Sequence, residues 1–376
     1  MGWCNDAQAS TEQFLVDFRC EDVLRKWYQD ILDAMREDGE MPGVAPTCGW
    51  DYDAFFGNYY NGPTSSGVLF EIPWRIYQQT GKADLLIAAL PYFQRHLARL
   101  RFMSRETGFI EYGLPDWAGP WEACNASPVP ANCTNTLLQI KFLRITALAQ
   151  TLAGQDPTEI QLEEQRVTKR FLETYFREDG RMIYHEQSSL SMSLVLDVYP
   201  NREVAAQQLI EVMERDHCHL SCGMLGVQYL YDALVKINRP DLAWAVLNAK
   251  DFPSYLSWIT ERDATTFCET FYVDHSQNHH MFTCVLAWML KTLSGIVPTE
   301  PGYASCRIAP WLPDSLTWSD VSMDVPQGTV RVRWEKVEGA VQLQITLPEN
   351  MQAQLDLFGE VTALTAGENT VVRNYQ

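Results

Sequence analysis

Up to about Pro298, apolar residues recur at steps of three and four; beyond it they alternate. The clearest helical stretch is Asn135–Ala153. There Leu138, Phe142, Ile145, Ala149 and Leu152 fall on one stripe, and Gly154 supplies a stop. Val227, Leu230, Leu234 and Ile237 form a second stripe. Segments of this kind start near residues 7, 20, 66, 83, 135, 156, 188, 201, 223, 240, 253 and 277. The short connections between them predict antiparallel neighbours, that is, helical hairpins. Past Pro298, Val330, Val332 and Trp334 alternate with Arg331, Arg333 and Glu335. Val341, Leu343, Ile345 and Leu347 alternate with Gln342, Gln344 and Thr346. Turn residues at Gly339 and Pro348-Glu349-Asn350 separate these strands, which predicts a small antiparallel β domain. Val330, Val332 and Trp334 are expected to pack it against the helices. The division falls between a helical domain, 1–298, and a β domain, 299–376.

Two connections are long, from about Asp38 to Ser65 and from about Gly108 to Thr134. The first holds Trp50-Asp51-Tyr52-Asp53 and the second Asp116-Trp117-Ala118-Gly119-Pro120-Trp121-Glu122. Long loops in a compact domain are functional or disordered, and this aromatic content argues against disorder. Aromatic faces with carboxylates suit the two sides of a sugar ring: the C–H face stacks and the hydroxyls donate. The alternative is that the aromatics pin the loops to the helices.

The 376 residues carry 29 basic and 48 acidic side chains, a net charge of −19, with 46% hydrophobic residues. That excludes a disordered chain and argues against nucleic acid and anionic membrane surfaces as partners. Neutral sugars, cations and proteins remain open. No run of 18 apolar residues occurs, so no membrane span is predicted. The opening residues lack a basic and an apolar region, so no secretory signal is read and a reducing, cytoplasmic compartment is expected. The ten cysteines are then mostly free thiols; Cys124 and Cys133 flank a loop and would pair only after export.

Among chemical candidates, His217-Cys218-His219-Leu220-Ser221-Cys222 looks metal-like. Neighbours on so short a segment do not easily converge on one ion, and no second ligand pair has a recognisable spacing. The segment is read as a helix junction, and no metal or cofactor is expected. Ser276 is expected to cap a helix whose apolar face includes Phe282, Leu286, Met289 and Leu293. His279 would then lie in its first turn, either as a core histidine or as a hydrogen-bonding group for a substrate. Glu269 closes the run Asp263-Ala264-Thr265-Thr266-Phe267-Cys268, between two helices. A carboxylate there either points into a barrel mouth or is simply exposed. No Gly-rich phosphate loop, GxSxG or HExxH is present.

Taken together these segments resemble the bacterial α-L-rhamnosidases of glycoside hydrolase family 78. Asp263–Glu269 is similar to that family's GATTxWE, and Ser276-Gln277-Asn278-His279 to its SxNH. Gly2-Trp3-Cys4-Asn5-Asp6-Ala7-Gln8 resembles GWTGDAQ, and Asp38-Gly39-Glu40-Met41-Pro42 resembles DGxxP. Gly113-Leu114-Pro115-Asp116-Trp117 resembles GLGDW, and His219-Leu220-Ser221-Cys222-Gly223 resembles HLTTG. The motifs keep the family order. The resemblance implies a mainly α fold, an (α/α)6 barrel of six hairpins followed by a β-sandwich. It also implies hydrolysis of terminal α-L-rhamnosides with inversion, so a rhamnose-containing carbohydrate is the expected partner. Inversion needs two carboxyl groups roughly 6.5–9.5 Å apart. By this match Glu269 is the general base, and Trp3, Asp6, Asp116, Trp117 and His279 shape the sugar subsite.

Two departures bear on activity. The family's general acid is a Glu four residues before the Trp of GWTGD, and counting back from Trp3 falls before Met1. The chain is therefore expected to be part of a longer gene or a catalytically impaired remnant, unless Asp6, Glu12 or Glu122 serves as the acid. The family's PxWxD is also missing its Trp and Asp, since the chain reads Pro63-Thr64-Ser65-Ser66-Gly67. Beside hydrolysis, two further functions stand: a non-catalytic carbohydrate-binding remnant, and another six-hairpin glycosidase or lyase activity.

Overall fold

The computed structural model of the chain describes residues 2–47, 52, 62–121, 123, 126–272 and 276–375. It divides into two compact units. One consists of Met1–Thr11, Asp22–Pro73 and Asp84–Cys284, the other of Glu12–Glu21, Trp74–Ala83 and Val285–Gln376. The chain begins with β1 (Gly2–Trp3), α1 (Cys4–Asp17) and α2 (Glu21–Asp33), and β2 (Val44–Ala45) pairs antiparallel with β1. Helices α3 (Pro63–Ser66), α4 (Val68–Thr80), α5 (Asp84–Ala88), α6 (Leu90–Met103), α7 (Ala131–Leu152) and α8 (Thr158–Tyr175) follow. The series ends with α9 (Gln187–Val195), α10 (Arg202–Arg215), α11 (Met224–Lys236), α12 (Pro240–Asn248), α13 (Tyr255–Arg262) and α14 (Cys284–Ser294). Each segment predicted from periodicity is helical, and the architecture is the expected six-hairpin one. None of the described helices is long and apolar enough to cross a membrane.

Burial separates inner from outer helices. In α7, 16 of 22 residues are buried, in α9 eight of nine, and in α11 nine of 13. Their partners α8 and α10 bury only four of 18 and five of 14, each along one stripe. Inner helices therefore place polar side chains inside the unit. Lys141 of α7 pairs with Glu71 of α4 at 2.5 Å, with side-chain exposures of 7% and 2%. The Lys141 ammonium also donates to the Tyr229 hydroxyl of α11 at 3.2 Å. Around this polar centre Phe70 stacks between Phe93 and Phe142, with ring centroids 4.5 and 4.3 Å away.

The loop at Asp38-Gly39-Glu40 is a staple. Gly39 takes φ +87°, and a Cβ there would lie 2.5 Å from the Arg95 carbonyl oxygen. Arg99 pairs with both Asp38 and Glu40, and Arg36 pairs with Glu40 at 2.7 Å. Beneath it His96 Nδ1 donates to the Gly39 carbonyl at 2.8 Å, while Nε2 is buried with no hydrogen-bond partner among the described residues. Burial pushes the His96 pKa down to about 4, aided by Arg99 and opposed by the Gly39 hydrogen bond. Between about 6.5, the ordinary value, and about 4, the unfolded chain binds a proton that the folded chain does not. Stability is therefore lost as pH falls through this interval, by roughly 3 kcal/mol at most. Denaturant midpoints of wild type and His96→Gln should converge as the pH is lowered; parallel curves would refute this linkage.

The second unit holds β3 (Ile296–Pro298), β4 (Ser305–Ile308), β5 (Trp318–Val325), β6 (Gly328–Val337), β7 (Ala340–Leu347), β8 (Gln352–Leu357), β9 (Glu360–Leu364) and β10 (Gly367–Asn374). They form two four-stranded sheets, ordered β10-β7-β6-β5 and β3-β4-β8-β9. All pairs are antiparallel except β4 with β8, a departure from the purely antiparallel expectation. Val330, Val332 and Trp334 do not serve chiefly as a face toward helices. They lie in one core with Val341, Leu343 and Ile345 of their own sheet and Ile308, Leu355 and Leu357 of the other. In a sandwich the buried side of each sheet is the one facing its partner. Val16 of α1 joins this core, and the Trp334 indole N–H donates to the Leu293 carbonyl at 2.7 Å.

The α14 start also differs from expectation. The helix begins at Cys284, after a short 3-10 turn, His280–Phe282, and not near residue 277. Its buried face includes Val285, Trp288 and Leu293, while Leu286 and Met289 are half-buried. The break between turn and helix shifts the apolar register.

Candidate active site

Helix α13 is capped by Asp263, whose backbone is left-handed at φ +51°, and the N–H of the next residue, Ala264, returns to the Trp258 carbonyl at 2.9 Å. The Gly that opens GATT elsewhere would suit this conformation, and Asp is among the side chains that tolerate it best. The chain then folds back on itself. The Glu269 N–H donates to the Ser276 carbonyl at 2.9 Å, the Ser276 N–H to Glu269 Oε2 at 3.3 Å, and the His279 N–H to the Phe267 carbonyl at 2.9 Å. Ser276 therefore closes the loop on Glu269 and caps no helix. His279 precedes the 3-10 turn in an extended conformation, outside any α-helix.

This fold-back sets an imidazole between two carboxylates. His279 Nε2 hydrogen-bonds Asp6 Oδ1, and His279 Nδ1 stands 3.7 Å from Glu269 Oε2. Asp6 is 7% exposed in the first turn of α1, and the Glu269 side chain is 27% exposed. Burial alone would lower the His279 pKa. The Asp6 hydrogen bond and charge, with Glu269, outweigh burial and raise it. The Ser10 hydroxyl donates to the His280 carbonyl at 2.7 Å and ties α1 to the same turn.

Asp116 is fully buried and lies under the start of α11. Its carboxylate accepts the N–H groups of Gly223, Leu225 and Gly226 at 2.7, 3.0 and 3.0 Å. An anion suits a helix N-terminus. Burial still lifts its carboxyl to about 6 against these bonds and that of Ser188. Its linkage opposes that of His96: the folded chain keeps this proton between about 4 and 6, so on this account stability falls as pH rises. Gly223 is required by closeness, since a Cβ would lie 2.0 Å from the Trp117 carbonyl oxygen. That carbonyl accepts the Met224 N–H at 2.8 Å, which fixes Trp117 beside the helix start. Asp116→Ala leaves three buried N–H groups without their acceptor. It should lower stability by roughly 2–4 kcal/mol in equilibrium unfolding; a loss under about 0.5 kcal/mol would contradict the capping role.

The two loops meet, because the Tyr272 hydroxyl donates to the Pro120 carbonyl at 2.7 Å. Trp3, 41% exposed on β1, stands three residues before Asp6. The structure thus joins Asp6, His279 and Glu269 directly, and links the Glu269 loop to the Trp117 loop. Two contributors escaped sequence reading. Tyr272 is one; Gln187 is the other, a buried side chain that donates to the His219 carbonyl and accepts the Ser221 N–H, holding the 216–221 turn. In that turn His217 and Cys218 are left-handed and His219 Nε2 meets Asp251, so each serves local structure. Among the described residues no cluster of His, Cys, Asp and Glu is placed to hold a metal ion. Glu12 is ion-paired with Arg75 at 2.9 Å and Lys291 at 2.6 Å within the second unit. Tyr52 pins its loop through a hydroxyl bond to the Ala34 carbonyl and the Arg36 guanidinium over its ring. Cys133 is a buried free thiol. Trp50, Asp51, Asp53, Glu122 and Cys124 lie outside the described residues.

Residues 1–293 match the bacterial α-L-rhamnosidase six-hairpin glycosidase domain, and residues 295–371 the bacterial α-L-rhamnosidase C-terminal domain. An α-L-rhamnosidase of Streptomyces avermitilis is 27% identical over 94% of this chain and 34% of its own length. One of Formosa agariphila is 25% identical over 95% of this chain and 40% of its own. The chain thus spans well under half the length of these relatives. The crystal structure of Streptomyces avermitilis α-L-rhamnosidase complexed with L-rhamnose superposes with a TM-score of 0.89 at 23% identity, over all of this chain and 38% of that one. That of the Dictyoglumus thermophilum enzyme gives 0.90 at 22%, over all of this chain and 46% of that one. The fold is shared with these structures, and by its two domain matches the chain belongs to the bacterial α-L-rhamnosidase family.

Proposed function

We propose that this chain is the hydrolytic region of an α-L-rhamnosidase, cleaving terminal α-L-rhamnosides with inversion. The observation that carries the reading is the line Asp6–His279–Glu269, with one carboxylate left half-open at its end. Glu269 takes a proton from water as that water attacks the anomeric carbon, while the glycosidic C–O bond breaks. Asp6 and His279 shape the sugar subsite beside Glu269, and Trp3 and Trp117 offer apolar faces. Asp116 works from beneath by fixing the start of α11, whose Met224 N–H holds the Trp117 carbonyl. The L-rhamnose in the Streptomyces avermitilis structure supports the choice of sugar.

The departing oxygen also needs a proton. Asp6 is committed to His279 and Glu12 to Arg75 and Lys291. Turnover by the chain as given should therefore depend steeply on the leaving group. A series of aryl α-L-rhamnosides of rising phenol pKa, with the first-formed anomer followed by proton NMR, tests both points. The reading expects rates that fall along the series and initial release of the inverted sugar. Retention of configuration would overturn the mechanism.

A second reading, a non-catalytic rhamnose-binding protein, is favoured by the segment Pro63–Ser66. Its residues are buried, and Thr64 is spent on the Leu114 carbonyl and Asn135. Saturable L-rhamnose binding with no turnover of any aryl rhamnoside would select it.

A further inference from the structure

We propose that the second unit carries a sugar-binding cleft of its own, formed by Leu312, Asp314, Lys336, Val337, Phe358 and Tyr375, that takes one neutral pyranose ring. Its volume is about 440 Å³, within the range of small-ligand sites.

The floor is aromatic. Phe358 is half-buried against the sandwich core together with Leu312, and its ring centroid lies 5.9 Å from that of Tyr375, tilted by 54°. The outer ring, Tyr375, is 42% exposed, as is Val337 beside it. Asp314 and Lys336 are the charged groups of the lining. The Asp314 carboxylate is exposed and makes no hydrogen bond or ion pair among the described residues. The Lys336 ammonium donates one hydrogen to the Pro313 carbonyl at 2.7 Å and keeps two more. Burial and then the nearby Asp314 charge raise the Tyr375 phenol pKa, so its hydroxyl stays protonated and can donate.

A second observation concerns the backbone. Phe358-Gly359 is the two-residue turn joining β8 to β9, with Leu357 paired to Glu360. Both residues have positive φ, +54° and +79°. Such turns favour Asn, Asp or Gly at the first position, and a bulky aromatic is an outlier. The chain keeps a ring exactly where its backbone disfavours one, and that ring is the inner wall of the cleft.

One anionic and one cationic side chain leave the lining without net charge, which selects against a strongly charged ligand. An apolar plate edged by an acceptor and a donor matches a pyranose, whose C–H face lies on Tyr375 while hydroxyls reach Asp314 and Lys336. The inference rests on the rhamnosidase reading only for the choice of first probe.

Methyl-resolved NMR of the full chain tests it. Methyl α-L-rhamnoside and methyl α-D-glucoside should shift the Leu312 and Val337 methyls saturably in the millimolar range. Asp314→Asn and Tyr375→Ala should each weaken that response about tenfold or more. The Leu114 methyls, three residues from Trp117, report the first unit's site separately, so failure there does not mimic failure here. No shift at Leu312 and Val337 with either glycoside overturns the proposal, as do shifts that survive both variants. Tighter binding of D-glucuronate than of the neutral glycosides overturns the assignment of a neutral ligand.

Discussion

Glu269→Gln is expected to slow hydrolysis of an activated aryl α-L-rhamnoside by about 10²–10⁴-fold, the usual contribution of a general base. An amide cannot accept the proton that water must lose, whereas its volume and its carbonyl acceptor are retained. The Ser276 N–H can still donate to that carbonyl, and the loop pairing of Glu269 N–H with Ser276 is a backbone matter. The side chain is partly exposed, so the substitution leaves no cavity. The loss should therefore appear in kcat, with the thermal midpoint and L-rhamnose affinity close to wild type. An unchanged kcat would remove Glu269 from the reaction. A loss of kcat with a collapsed thermal midpoint would instead mean that the side chain holds the fold-back loop together.

Lys141→Met is expected to destabilise the protein by about 3–5 kcal/mol, because it removes a paired cation from the buried Glu71 carboxylate. The pair lies 2.5 Å apart with almost no solvent on either partner. Most of the loss comes from burying a carboxylate without this cation, not from a strong native attraction. The double variant Glu71→Leu/Lys141→Met should therefore recover most of the lost stability, since apolar replacement of a buried pair is often neutral. Equilibrium unfolding in denaturant measures both. A single-variant loss under about 1 kcal/mol, the scale of an exposed pair, would contradict the burial argument.

Periodicity located the helical segments, though those near 66 and 83 each hold two helices, and it could not tell inner from outer. The α7 stripe of Leu138, Phe142, Ile145 and Ala149 is buried as expected, but so are Asn135, Gln139, Lys141 and Gln150 on its other faces. A polar residue carries no mark in the sequence that it will be matched inside, as Lys141 is by a glutamate 70 positions earlier. The site divides in the same way. Asp6, Glu269 and His279 were found through motif resemblance, and the structure brings them within reach of each other. That Asp116 spends its carboxylate on the start of α11 could not be read, because the three N–H groups it serves belong to a helix more than a hundred residues away. Tyr272 and Gln187 act through backbone carbonyls of other segments, which no side-chain pattern announces. The shifted face of α14 traces to the 3-10 turn at His280–Phe282, whose tighter winding breaks the count of 3.6.

The second unit draws on three stretches of chain, 12–21, 74–83 and 285–376. During synthesis the first two emerge long before the third, and the apolar side chain of Val16 must wait for the strands that will cover it. Assembly of this unit is thus a late event of high sequence separation, the kind that slows folding and leaves intermediates open to aggregation. The sheets of residues 296–374 are less an appended module than the closing piece of a structure begun at residues 12–21.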